Sequence, residues 1–81
     1  MNLEDIKEKL NTFLIDEMEI DEEKIFNGAL LRDDVGIDSL DYVDIVAFIT
    51  RNFGFKVGQG DVQKLSTLAD LYQYIAEKTQ K

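Results

Sequence analysis

Asp38-Ser39-Leu40 follows Gly36-Ile37 and leads into an apolar-periodic segment, so one serine hydroxyl stands at the start of a helix. A covalent arm could be hung there. Backbone N–H groups point outward at a helix start, and the helix dipole favours a negatively charged group such as a phosphate. The same residues have a plainer use. Asp and Ser are favoured N-cap residues, whose side-chain oxygens accept hydrogen bonds from otherwise unpaired N–H groups. An unaided serine is a poor nucleophile, and the chain contains no histidine to activate it.

The chain also has no cysteine. Disulfides, thiolate metal ligands and a thiol nucleophile are thereby removed, and the lack of histidine removes the commonest zinc ligand. An independent enzyme is disfavoured for want of a base, a nucleophile pair or a metal cluster. No metal site is expected. A calcium loop is disfavoured because Asp34, Gly36 and Asp38 miss the required spacing, and Ser39 stands where such a loop needs glycine.

The elements that must position Ser39 are helices. Leu3, Ile6, Leu10, Phe13 and Leu14 fall on one stripe of a helix predicted from about Leu3 to Glu17, with Asn2 as its N-cap. A long connection follows, from about Met18 to Asp38, with a turn at Asn27-Gly28. A structureless loop of this length is unusual in a compact domain, so Ile20, Ile25, Phe26, Leu30 and Leu31 are expected to pin it across the bundle.

The second helix is predicted from Ser39 to about Asn52, stopping at Gly54. Tyr42, Ile45, Val46, Ile49 and Phe53 define its core face; Leu40, Asp44, Ala47 and Arg51 lie opposite, flanked by Asp41 and Val43. Leu40 is thus directed away from the core beside Ser39, ringed by Asp38, Asp41 and Asp44. That arrangement fits a docking anchor with a polar rim. The alternatives are an incidental surface leucine or one covered by the preceding loop.

Gly58-Gln59-Gly60 breaks the pattern, and Asp61-Val62-Gln63-Lys64-Leu65 allows only a short helical turn or two. Thr67-Leu68-Ala69-Asp70 reads as a capping box that opens a last helix, with Leu68, Leu71, Tyr72, Tyr74 and Ile75 facing inward. Lys78 and Lys81 suit its C-terminal end. The expected fold is all-α: a small antiparallel four-helix bundle with three longer helices and one short third helix.

With 81 residues, 44% of them apolar, the chain is expected to form one freestanding domain over residues 1–81. No apolar run approaches the roughly 18 residues of a membrane span, and the start, Asn2-Leu3-Glu4-Asp5, lacks a cationic-then-apolar signal. A cytoplasmic location is expected. The net charge of -8 is unevenly spread, since residues 1–44 hold fourteen acids against four bases and residues 45–81 three acids against five bases. Such a field repels nucleic acid and anionic membranes and steers the chain toward basic protein surfaces. Acidity that merely keeps a small domain soluble would give the same composition.

Asp33-Asp34-Val35-Gly36-Ile37-Asp38-Ser39-Leu40-Asp41 resembles the phosphopantetheine attachment site of the acyl carrier proteins. Helix order, the long first connection and Leu65-Ser66-Thr67-Leu68 before the last helix extend the resemblance from about Leu3 to Ile75. It implies that a separate phosphopantetheinyl transferase joins Ser39 by a phosphodiester to 4'-phosphopantetheine from coenzyme A, with magnesium at the transferase. The arm would then hold acyl groups as thioesters, so a cysteine-free chain imports its thiol. By the same resemblance Asp38 supports the attachment. Leu40, Asp41, Val43, Asp44, Ala47 and Arg51 form the face that basic-surfaced acyl-processing enzymes grip. A monomer is implied, because the docking face must stay open. Phe13, Val46, Ile49, Leu68 and Tyr72 are either plain core or the lining of a space for the acyl chain.

Two departures stand out. Thr50-Arg51-Asn52 closes helix two where fatty-acid carriers commonly continue acids, and Lys56-Val57-Gly58-Gln59-Gly60 replaces a frequent proline with acids. Arg51 would repel a basic docking site, which points to specialised fatty-acid-like, polyketide or related biosynthesis. The alternatives are an aminoacyl or D-alanyl carrier, or an unmodified acidic adaptor without an arm.

Overall fold

The computed structural model describes residues 2–58 and 60–79. Gln59, within the predicted glycine break, and Lys81, assigned to the last helix end, lie outside the described residues. Three α-helices account for the regular structure: α1 (Leu3–Asp16), α2 (Ser39–Phe53) and α3 (Leu68–Thr79). Single 3-10 turns, Glu22–Lys24 and Val62–Lys64, interrupt the two connections. Among the described residues there are no strands, only an isolated antiparallel bridge between Leu30 and Thr67.

Each helix starts where a side chain replaces the missing backbone partner. The Asn2 Oδ1 accepts from the Asp5 N–H at 2.9 Å to open α1. At α3 the capping box is reciprocal: Thr67 Oγ1 accepts from the Asp70 N–H at 3.2 Å, and Asp70 Oδ2 accepts from the Thr67 N–H at 3.2 Å. α2 ends at Gly54, whose φ of 74° is a left-handed conformation that a side chain would strain.

The expected short third helix is one 3-10 turn of three residues. The reason is local. Leu65 is already extended, at φ -77° and ψ 141°, because the chain must enter the α3 cap, and Gly60 turns it at φ 81° just before. Four residues between these points leave no room for α-helical hydrogen bonds to accumulate.

The long connection is held by backbone hydrogen bonds as much as by apolar contact. Leu68 and Ala69 donate their N–H groups to the carbonyls of Ala29 and Asn27 at 3.0 and 2.9 Å, and Leu31 donates to Ser66 at 2.9 Å. The unpaired donors at the start of α3 thus fasten the loop. Leu31 is buried as expected, together with Ala29, Val35 and Ile37, while Ile20 and Ile25 are half-buried. Phe26 and Leu30 are not pins: they are 52% and 40% exposed. Both flank the Asn27–Ala29 stretch whose carbonyls face α3, which turns their side chains outward.

The core joins Ile6, Leu10 and Leu14 of α1 with Tyr42, Ile45, Phe48 and Ile49 of α2 and Leu68, Leu71, Tyr72 and Ile75 of α3. Leu3 is 39% exposed, since it precedes the first full turn, and Phe13, Val46, Phe53 and Tyr74 are only half-buried. Phe48 is buried instead and stacks on Phe13 across the α1–α2 contact, ring centroids 4.2 Å apart at 19°.

Candidate functional site

Ser39 reaches its position through the turn that precedes it. Asp34 and Val35 both donate to the Leu30 carbonyl at 2.9 Å, and Gly36 then reverses the chain at φ 86°. This reversal sends Ile37 into the core and leaves Asp38 extended at the head of α2. Asp38 is the N-cap: its Oδ1 accepts from the Leu40 and Asp41 N–H groups, each at 3.0 Å. Asp41 answers by accepting from the Asp38 N–H at 3.2 Å, which completes a capping box.

That division of labour separates the two readings of Asp38-Ser39. Capping belongs to Asp38. Ser39 is the first helical residue, exposed, and its hydroxyl makes no hydrogen bond among the described residues. The N–H groups of Leu40 and Asp41 are taken by the Asp38 carboxylate. A phosphodiester on Ser39 would sit beside the Asp38 and Asp41 carboxylates at the positive end of the α2 dipole. An exposed primary alcohol unencumbered by neighbours fits that bond.

Around Ser39 the α2 surface is apolar at its centre and charged at its edges. Leu40 is 79% and Val43 66% exposed, the two most exposed large hydrophobic residues among the described residues. Asp44, Ala47 and Arg51 continue the face as exposed positions along the helix. Asp41 is half-buried with its carboxylate bonded to Asp38, so its contribution to this face is shared with capping. Asp44, Ala47 and Arg51 also line a cleft of about 930 Å³ against α1, opposite Glu8, Asp16 and Glu17. Phe13 and Phe48 lie within it.

Phe13 is the one residue of the proposed acyl lining that opens on this cleft; Ile49, Leu68 and Tyr72 are core, and Val46 packs half-buried against it. Phe48 was outside the predicted core face. Its signal is present in the sequence, three residues beyond Ile45, and a wider stripe on α2 would have included it.

The model of the phosphopantetheine attachment site family matches residues 8–75. The chain belongs to the acyl carrier protein family. It is similar to the acyl carrier protein of Thermotoga maritima, 39% identical over 75 residues that cover 93% of each chain. The acyl carrier protein of Akkermansia muciniphila is 35% identical over 75 residues, covering 93% of this chain and 92% of that one. That of Buchnera aphidicola subsp. Acyrthosiphon pisum is 29% identical over 79 residues, covering 98% and 99%. The carrier therefore has 4'-phosphopantetheine as its prosthetic group. When bound, that group supplies a terminal thiol on which an acyl group is carried. No described helix of the carrier is long and apolar enough to cross a membrane.

Proposed function

We propose that Ser39 bears the phosphopantetheine arm and that the chain presents thioester-bound acyl groups to successive enzymes without catalysing a reaction itself. The observation that carries this reading is the pair Asp38 and Ser39: the carboxylate caps α2, and the hydroxyl beside it is exposed and uncommitted. Activation of so weak a nucleophile falls to the transferase, since the chain has no histidine. Asp38 supports the attachment by fixing the helix start.

Leu40 and Val43 form the apolar centre of the docking face, with Asp41, Asp44, Ala47 and Arg51 around it. Partners are the phosphopantetheinyl transferase and acyl-processing enzymes with basic surfaces, met in the cytoplasm by a monomeric, freestanding domain that counts the 3-10 turn at Val62–Lys64 as its short third element. The acidic first half favours fast, reversible encounter, and the arm raises the effective concentration of cargo in each complex. Arg51, exposed in the last turn of α2, supports a specialised pathway over general fatty-acid supply.

The lack of cysteine gives a direct test. After incubation with coenzyme A, magnesium and a transferase, thiol titration should find one reactive thiol per wild-type chain and none on Ser39→Ala. A wild-type chain that stays thiol-free with several transferases favours the unmodified adaptor.

A further inference from the structure

Along their exposed flanks α1 and α2 leave a cleft of about 930 Å³. It runs beside about three turns of α1, from Asp5 to Asp16, or about 17 Å of helix axis. Phe13 and Phe48, stacked with ring centroids 4.2 Å apart, line it together with Met18 and Ala47. Phe13 and Met18 are half-buried and Ala47 is exposed, so a strip of apolar surface stays open to solvent at this flank.

The charges around that strip are unequal. Asp5, Glu8, Asp16, Glu17 and Asp44 line the cleft, whereas Lys9 and Arg51 are its cations, so carboxylates outnumber cations five to two. Thr12 and Asn52 complete the lining and carry no charge. A second copy of the chain is a poor match, because a net charge of -8 repels its own kind. Ser39, Leu40 and Val43 do not line the cleft, so a segment seated there leaves the Ser39 end of α2 uncovered.

We propose that the α1–α2 cleft is a docking groove for a basic amphipathic helix of a partner protein, which tethers the carrier while the Ser39 end stays free. Two helices lying side by side present a groove into which the ridges of a third can pack. The occupant's chemistry follows from the lining. Apolar residues at i, i+3 or i+4 and i+7 would cover the strip at Phe13 and Phe48, and lysine or arginine on both flanks would meet Glu8 and Asp16 of α1 and Asp44 of α2. An acidic helix would meet like charge along the whole groove. Asp44, Ala47 and Arg51 also belong to the face proposed for acyl-processing enzymes, so α1 supplies the substitutions that tell the two surfaces apart.

The test titrates the whole chain by fluorescence anisotropy with a small set of labelled amphipathic helices of about 18 residues, leucine on one face and lysine and arginine on the other, at about 0.15 M salt. Thermal melts first establish that each variant is folded. At least one peptide should bind wild type in a 1:1 ratio. Glu8→Lys with Glu17→Lys should weaken it by about tenfold or more. Glu22→Lys with Glu23→Lys changes the net charge equally on an exposed turn outside the cleft, and should weaken it only about twofold. Serine in place of the peptide's leucines should abolish binding, which separates a groove from bare attraction between opposite charges. Equal losses in the two charge variants, an unchanged affinity in Glu8→Lys with Glu17→Lys, or no binding by any peptide overturns the proposal. A loss on Leu40→Ala as large as that on the cleft variant puts the helix on the outer face of α2 and overturns it too. So does a dimer of the chain alone, seen by sedimentation, that Glu8→Lys with Glu17→Lys dissociates, since the cleft then belongs to a second copy.

Discussion

Asp38 and Asp41 cap each other: Asp38 Oδ1 accepts from the Asp41 N–H at 3.0 Å while Asp41 Oδ2 accepts from the Asp38 N–H at 3.2 Å. This exchange fixes the helix start on which Ser39 stands. Asp38→Ala should cost about 1 kcal/mol, which lowers the melting temperature by about 4–8 °C in a domain of this size. Asp38→Asn keeps an accepting oxygen and should stay within about 0.5 kcal/mol of wild type. If the charge also orients the transferase, the asparagine variant is modified more slowly despite its retained stability. Modification at the wild-type rate would confine Asp38 to capping.

Leu40 contributes little to the fold, being 79% exposed. Leu40→Ala should change stability by no more than about 0.5 kcal/mol. As the apolar centre of a docking face it should nonetheless lower kcat/KM for the transferase about tenfold, about 1.4 kcal/mol of transition-state binding. Steady-state kinetics beside a thermal melt separate the two, and unchanged kinetics would remove Leu40 from the interface.

Phe48 is the opposite case, a residue of α2 that serves the fold. It stacks on Phe13 and meets Phe53 edge-on, ring centroids 5.9 Å apart. Phe48→Ala should cost about 3 kcal/mol in chemical denaturation, from lost burial and the cavity left behind. A loss under about 1 kcal/mol would mean that the α1–α2 contact closes over the gap.

Alkaline stability follows from Tyr72 and Tyr74. Both hydroxyls are pushed above their ordinary value of 10.0, chiefly by burial; the bond to Asn11 partly offsets this for Tyr72, and the Asp61 carboxylate adds to it for Tyr74. A folded pKa above the unfolded one gives stability that is full below pH 10 and declines as pH rises through the folded value. Denaturation midpoints from these two groups should therefore hold steady up to about pH 9 and fall above pH 10. Tyr72→Phe should lessen that fall. An undiminished fall would assign it to other groups.

Much of this architecture is legible in the sequence because it is locally encoded. Asn2 and the Thr67–Asp70 pair mark helix starts by side chains that act within four residues of themselves, and Gly54 marks a helix end by its left-handed backbone. The position of Ser39 was equally local, and so was the outward direction of Leu40. What escaped depends on distant chain. The carbonyls of Asn27 and Ala29 meet the start of α3 some forty residues later, and this register, invisible in the loop itself, turns Phe26 and Leu30 outward. Phe48 is the exception: it follows Ile45 by three residues, and a core stripe on α2 wider than the one predicted includes it. The occupied N–H groups at Leu40 and Asp41 depend on which of two adjacent capping residues takes the cap, and residue type alone does not decide between them.

The most direct measurement is the intact mass of the chain before and after incubation with coenzyme A, magnesium and a broadly acting phosphopantetheinyl transferase, with Ser39→Ala alongside and the modified peptide fragmented. The account predicts a phosphopantetheine-sized gain on wild type, located on Ser39 and absent from the variant. A gain that persists in Ser39→Ala, or that maps to another hydroxyl, would contradict it.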